Sequence, residues 1–123
     1  MKEFRVSLSN RPGQLARVSG ALGQRGVNII TLAATGIGIL ALVTDQEERT
    51  RTALKDLGLS FQERELLTVK LPNRPGELGN FAKKLADSEI NIESIYLIDR
   101  IGDEVEVSFT VSDVPRAKQI LGQ

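Results

Sequence analysis

The chain has 123 residues, room for one ordinary domain or two small ones. Its 16 Lys and Arg are balanced by 16 Asp and Glu, so no basic excess draws it to nucleic acid or to an anionic membrane. It holds no Cys and no His, which excludes disulfides and thiolate chemistry and removes the commonest general base and metal ligand.

Phe4, Val6 and Leu8 alternate with polar residues, the pattern of a half-buried first strand. The strand stops at Asn10-Arg11-Pro12-Gly13-Gln14-Leu15. Pro suits the first turn of a helix, and Leu15, Val18 and Leu22 recur at helical spacing after it. Gly26 reads as the helix stop. The β-branched stretch Val27–Ala34 predicts a second strand and Ile39–Val43 a third, with Gly36 and Gly38 in the turn between them. Asp45-Gln46-Glu47-Glu48 has the form of a capping box opening a second helix, whose buried face is Ala53, Leu54 and Leu57. Leu59 and Phe61 begin a fourth strand, with Glu63 and Glu65 expected where the chain leaves its sheet.

The series then repeats. Asn73-Arg74-Pro75-Gly76-Glu77-Leu78 follows the first phrase by 63 residues, and Asn10–Ile29 aligned on Asn73–Ile92 shares eight of twenty positions. A repeat of that size means one structural unit used twice. The strand Leu67, Val69 and Leu71 precedes the second phrase, and Leu78, Phe81 and Leu85 make the helix face after it. Glu89 stands where the first unit has Gly26. Ile90–Ile98 and Val105–Val111 are the next strands, joined by a turn about five residues longer than its counterpart, with Asp99, Arg100, Asp103 and Glu104 on it. Asp113 starts the last helix, with Ala117, Ile120 and Leu121 facing inward.

These orders predict an α+β fold. Two tandem ferredoxin-like βαββαβ domains, 1–65 and 66–123, are expected, each an antiparallel sheet with its helices on one face. Nothing after the last helix reads as a fourth strand, so the second domain is expected to lack it and to leave the Leu67–Leu71 edge open. The apolar run near Ile37–Val43 is too short to span a bilayer, and the N-terminus does not read as a signal peptide. A cytoplasmic location is expected.

A strand ending in Asn-Arg-Pro-Gly-x-Leu, with Asn28-Ile29 and again Asn91-Ile92 opening the following strand, resembles the ACT domain family. The resemblance covers nearly the whole chain and is closest to free-standing tandem ACT proteins without a catalytic domain. It implies a regulatory module that binds an amino acid. The loops Asn10, Arg11, Pro12, Gly13, Gln14, Leu15 and Asn73, Arg74, Pro75, Gly76, Glu77, Leu78 would close over the ligand. Asn28, Ile29, Asn91 and Ile92 would reach in from a neighbouring domain, pairing Asn10 with Asn91 and Asn73 with Asn28. Serine-sensing members carry His two positions before the loop Asn. Leu8 and Leu71 stand there, which argues against serine and for an apolar contact.

Elementary chemistry agrees: a helix N-terminus with a Gly beside it suits a carboxylate, and Asn can both accept from an ammonium and donate to a carboxylate. Asn10 and Asn73 are equally good helix N-caps, and Asn28 and Asn91 equally good turn residues, so both roles stay open. No catalytic residue, metal site or cofactor is assigned. A small-molecule ligand, a homodimer and a regulated enzyme that the sequence does not identify are the expected partners. Nucleic acid and membrane are not expected, and the few aromatics do not form a base-stacking sheet. The competing readings are a ligand-free docking module and an acylphosphatase-like enzyme. For the latter, no matching glycine-rich loop with a phosphate-binding Arg is present.

Overall fold

A computed structural model describes all residues, 1–123. The chain divides into two compact units, Met1–Arg64 and Glu65–Gln123.

The first unit runs β1 (Lys2–Ser7), α1 (Gln14–Gln24), β2 (Ile29–Thr35), β3 (Ile39–Thr44), α2 (Glu47–Asp56) and β4 (Phe61–Glu65). Its sheet has the order β2-β3-β1-β4, with β3 antiparallel to both β1 and β2. Phe4 and Val6, two apart on β1, share a face with Leu40 and Leu42 of β3, as the strand period of two requires. Val18 and Leu22 of α1 and Ala53 and Leu54 of α2 bury against that same cluster, so both helices cover one face. No helix of the molecule is long and apolar enough to cross a membrane.

The second unit runs β5 (Leu67–Pro72), α3 (Glu77–Ala86), β6 (Ile92–Ile101), β7 (Glu104–Val111) and α4 (Val114–Leu121). Its sheet has three strands in the order β5-β7-β6, and β5 is an edge, as expected. Leu67, Leu71, Val107 and Phe109 meet Phe81 and Leu85 of α3 and Ala117 of α4 in the core. The Phe81 and Phe109 rings pack edge to face, with centroids 4.9 Å apart.

Helix ends correct several sequence expectations. Pro12 and Pro75 are not first-turn residues: they sit in the turn before each helix, whose N-caps are Gly13 at φ 88° and Gly76 at φ 89°. Asp45 does not open a capping box. Gln46 is the N-cap of α2, and the Asp45 carboxylate instead accepts the Asn28 N–H at 2.9 Å. Asp113 does cap α4, accepting the Arg116 N–H at 3.1 Å. At the other ends of α1 and α3, Gly26 at φ 72° and Glu89 at φ 59° hold the same left-handed stop, Glu89 being the one non-glycine residue with positive φ.

Two further expectations fail for reasons of geometry. The longer sequence between β6 and β7 does not lengthen the turn. It extends both strands, so that only Gly102 and Asp103 turn the chain, against Gly36-Ile37-Gly38 in the first unit. Glu65 ends β4 where the chain leaves its sheet, as expected, but Glu63 does not mark that exit. Glu63 lies within β4, where Arg51 grips it with Nε at 2.7 Å and Nη2 at 2.6 Å, and Lys2 adds a second cation at 3.4 Å. These hydrogen bonds, led by Arg51, hold the Glu63 carboxyl at about 2, well below its ordinary 4.5.

Candidate ligand-binding site

Each repeated phrase joins the first strand of its unit to the first helix. In the first unit the Leu8 N–H donates to the Gly38 carbonyl at 2.8 Å, which ties the loop to the β2–β3 turn. In the second, the Asn73 N–H donates to the Asp103 carbonyl at 2.7 Å. The positive φ of Gly13 and Gly76 swings the chain into the helix, and a Cβ at either would meet nothing within 4 Å. These glycines are required by conformation, and the space above them is open. The first N–H of each helix returns to its own loop, Gln14 donating to the Arg11 carbonyl at 3.4 Å and Glu77 to the Arg74 carbonyl at 3.3 Å, and the next N–H groups have no partner within the helix.

Neither Asn caps a helix by its side chain, so the capping role left open by sequence is excluded. The Asn10 amide donates to the Gly36 carbonyl at 3.2 Å, while the Asn73 side chain is exposed. Arg11 and Gln14 both donate to Ser9 Oγ, at 3.2 and 2.6 Å. Arg74 instead pairs with Glu77 at 3.0 Å. Leu15 and Leu78, assigned by spacing to the buried helix faces, are 42% and 54% exposed and stand beside the loops rather than in the cores.

Both loops open onto a cavity in the same place of the fold. The first, about 110 Å³, lies between Asn10, Gln14 and Leu15 on one side and Ala34, Gly38 and Leu40 on the other. The second, about 270 Å³, lies between Asn73, Glu77 and Leu78 and the wall Ile95, Leu97 and Val107. Leu8 and Leu71, singled out from sequence as apolar contacts, each line their cavity. The strand residues opposite the loop were missed, although their alternation along the second and third strands carried the signal. Two wider depressions of the first unit, one beside Arg25 and Arg49 and one beside Arg5 and Gln62, contain no residue of either loop.

Asn28 and Asn91 lie elsewhere. They precede β2 and β6 at the ends remote from the loops of their own units, roughly 20 Å along the strand from Ala34 and Leu97. Asp45 exchanges two hydrogen bonds with the Asn28 main chain, and Ser112 does the same with Asn91. Ile29 and Ile92 pack against the cores. Within one unit, then, the structure does not bring Asn10 to Asn28 or Asn73 to Asn91.

Residues 2–58 match the family model of the ACT domain. The first unit is an ACT domain. The second unit repeats its loop phrase and, up to the last helix, its element order. A comparison with curated proteins finds no match. Among solved structures, a protein from Bacteroides thetaiotaomicron matches with a TM-score of 0.86 at 23% identity, over 98% of this chain and 85% of that one. The ligand-free regulatory subunit of aspartate kinase from Thermus thermophilus matches with a TM-score of 0.72 at 19% identity, over 98% and 86% of the two chains. The same subunit from Thermus flavus gives 0.67 at 19% identity, over 98% and 88%. At these identities the likeness is one of fold.

Proposed function

We propose that the chain is a tandem ACT-domain protein, a non-catalytic regulatory module that binds an amino acid at its repeated loops. One observation carries the reading: a loop beginning Asn-Arg-Pro-Gly stands at the mouth of a cavity in each unit, beside a helix start. Such a mouth offers hydrogen bonds to a carboxylate and an apolar recess to a side chain. Asn10 to Leu15 and Asn73 to Leu78 are the proposed contacts. Asn28 and Asn91 are remote from the loops of their own units, so they would serve a loop of another domain, as the family resemblance implies. Binding would favour one arrangement of domains or subunits over another and so reach a regulated partner. A homodimer is the assembly we propose, and light scattering with and without ligand checks it.

The direct test is a thermal-shift screen against the twenty amino acids at millimolar concentration. A ligand at 100 times its Kd adds about 2.7 kcal/mol to stability, a visible shift. A well-folded protein that responds to none of them would remove the reading. A second reading, a docking module, is favoured by the edge strand β5, whose outer main chain, apart from the Thr68 carbonyl that the Gln123 amide holds at 2.8 Å, can pair with another strand.

A further inference from the structure

The two loops agree in sequence but not in surroundings. In the first unit every polar side chain of the loop is occupied by the chain itself: Asn10 by the Gly36 carbonyl, Arg11 and Gln14 by Ser9 Oγ. The short turn between β2 and β3 supplies that carbonyl and lies over the loop. What remains is a cavity of about 110 Å³.

Three changes undo this in the second unit. Pro72 replaces Ser9, so no hydroxyl is present to collect the loop side chains. The β6–β7 turn holds this loop by its main chain alone, the Asn73 N–H donating to the Asp103 carbonyl at 2.7 Å, and the Asn73 side chain makes no hydrogen bond within the chain. Leu97 replaces Ala34 on the wall, and Ile95 and Val107 lie beside it. The cavity grows to about 270 Å³. At roughly 30 Å³ for each water-sized group, that is space for about nine such groups against fewer than four, close to the non-hydrogen content of leucine.

The mouth of this cavity carries one charge of each sign. Arg74 Nη2 lies 3.0 Å from Glu77 Oε1, with the Arg74 side chain 69% exposed and that of Glu77 24% exposed. An exposed pair of this kind is held weakly and opens readily to other partners. Arg74 and the Asn73 amide can take a carboxylate, and Glu77 an ammonium group. In the first unit Gln14 stands in place of Glu77, and no carboxylate of that loop is available to an ammonium. A guanidinium and a carboxylate together above an apolar recess complement a zwitterion whose side chain is apolar. An acidic side chain would meet Glu77, and a basic one would leave its charge against Leu97 and Ile95.

Resting on the amino-acid reading above and narrowing it from two loops to one, we propose that the second unit alone holds the working pocket, and that its ligand is a free aliphatic α-amino acid of about leucine's size. The first unit's counterpart is closed by its own side chains.

Isothermal titration of the full chain with L-leucine tests this, with L-aspartate, L-lysine and isoamylamine, which lacks the carboxylate, as comparison probes. One leucine per chain is expected, with each comparison probe at least tenfold weaker. Leu97→Glu fills the recess from an exposed position, and Glu77→Gln removes the ammonium partner; each is expected to weaken leucine at least tenfold. Ala34→Glu, which fills the first cavity, leaves leucine binding unchanged. Circular dichroism confirms that each variant is folded. Two leucines per chain, stronger binding of aspartate or lysine, or loss of binding in Ala34→Glu but not in Leu97→Glu would overturn the assignment while leaving amino-acid sensing in place. Failure of all twenty amino acids in the thermal screen would overturn both.

Discussion

Gly26 and Glu89 hold the same left-handed position at the ends of α1 and α3, and exchanging the glycine between them should move stability in opposite directions. At the first site the Gly26 N–H reaches the Gly23 carbonyl at 3.1 Å, and the Val27 N–H the Leu22 carbonyl at 3.0 Å. At the second the Glu89 N–H reaches the Ala86 carbonyl at 2.9 Å, and the Ile90 N–H the Leu85 carbonyl at 3.0 Å. A side chain in this conformation costs roughly 1–2 kcal/mol. Glycine loses about 0.4–1 kcal/mol of that advantage by loosening the unfolded chain. Glu89 is exposed and forms no ion pair, so its side chain takes little with it. Glu89→Gly is therefore expected to stabilise by about 0.5–1 kcal/mol, and Gly26→Ala to destabilise by a similar amount. Urea titrations measure both. The chain has one Tyr and no Trp, so tyrosine fluorescence reports the second unit through Tyr96, and far-UV circular dichroism reports both units. A lower urea midpoint for Glu89→Gly, or an unchanged one for Gly26→Ala, would refute the argument that backbone conformation governs these positions.

Glu63→Gln should cost about 1 kcal/mol at neutral pH, a value reduced from the full linkage effect because the carboxylate is 25% exposed and screened by solvent. Its folded pKa is depressed, so the contribution is complete above about 4.5 and is lost as pH falls towards 2; the gap between wild type and variant in urea midpoint should close over that range, and a constant gap would contradict the Arg51 assignment. Gly38→Ala meets two obstacles, a φ of 86° and a Cβ only 2.9 Å from the Leu8 carbonyl oxygen. It should destabilise by about 2–4 kcal/mol in the same titration, and a loss below about 0.5 kcal/mol would show that the β2–β3 turn is not held against the loop.

Much of this molecule is local and therefore legible in the chain. Strand alternation at Phe4 and Val6, helical spacing at Val18 and Leu22, and a repeated loop phrase are periodic signals that need no partner to be read. They placed the elements and the ACT likeness, and the position of Glu89 opposite Gly26 marked the second helix stop. Competition between neighbours was not legible. Asp45 has the spacing of a helix cap, yet its carboxylate goes to the Asn28 N–H, which β2 brings alongside. Glu63 looks like a break in an apolar face until α2 sets Arg51 against it.

The candidate site divides along the same line. The sequence by itself determined that two equivalent loops exist, that each has a glycine suited to a left-handed turn, and that Leu8 and Leu71 precede them. Only the tertiary structure decided how much space each loop encloses. That space is set by residues distant in the chain: Gly36 and Ala34 in one unit, Leu97 and Val107 in the other. The turn of the first unit holds the Asn10 side chain, whereas that of the second holds only the Asn73 main chain. A cavity is the room left between elements, and its size belongs to their packing rather than to any one segment.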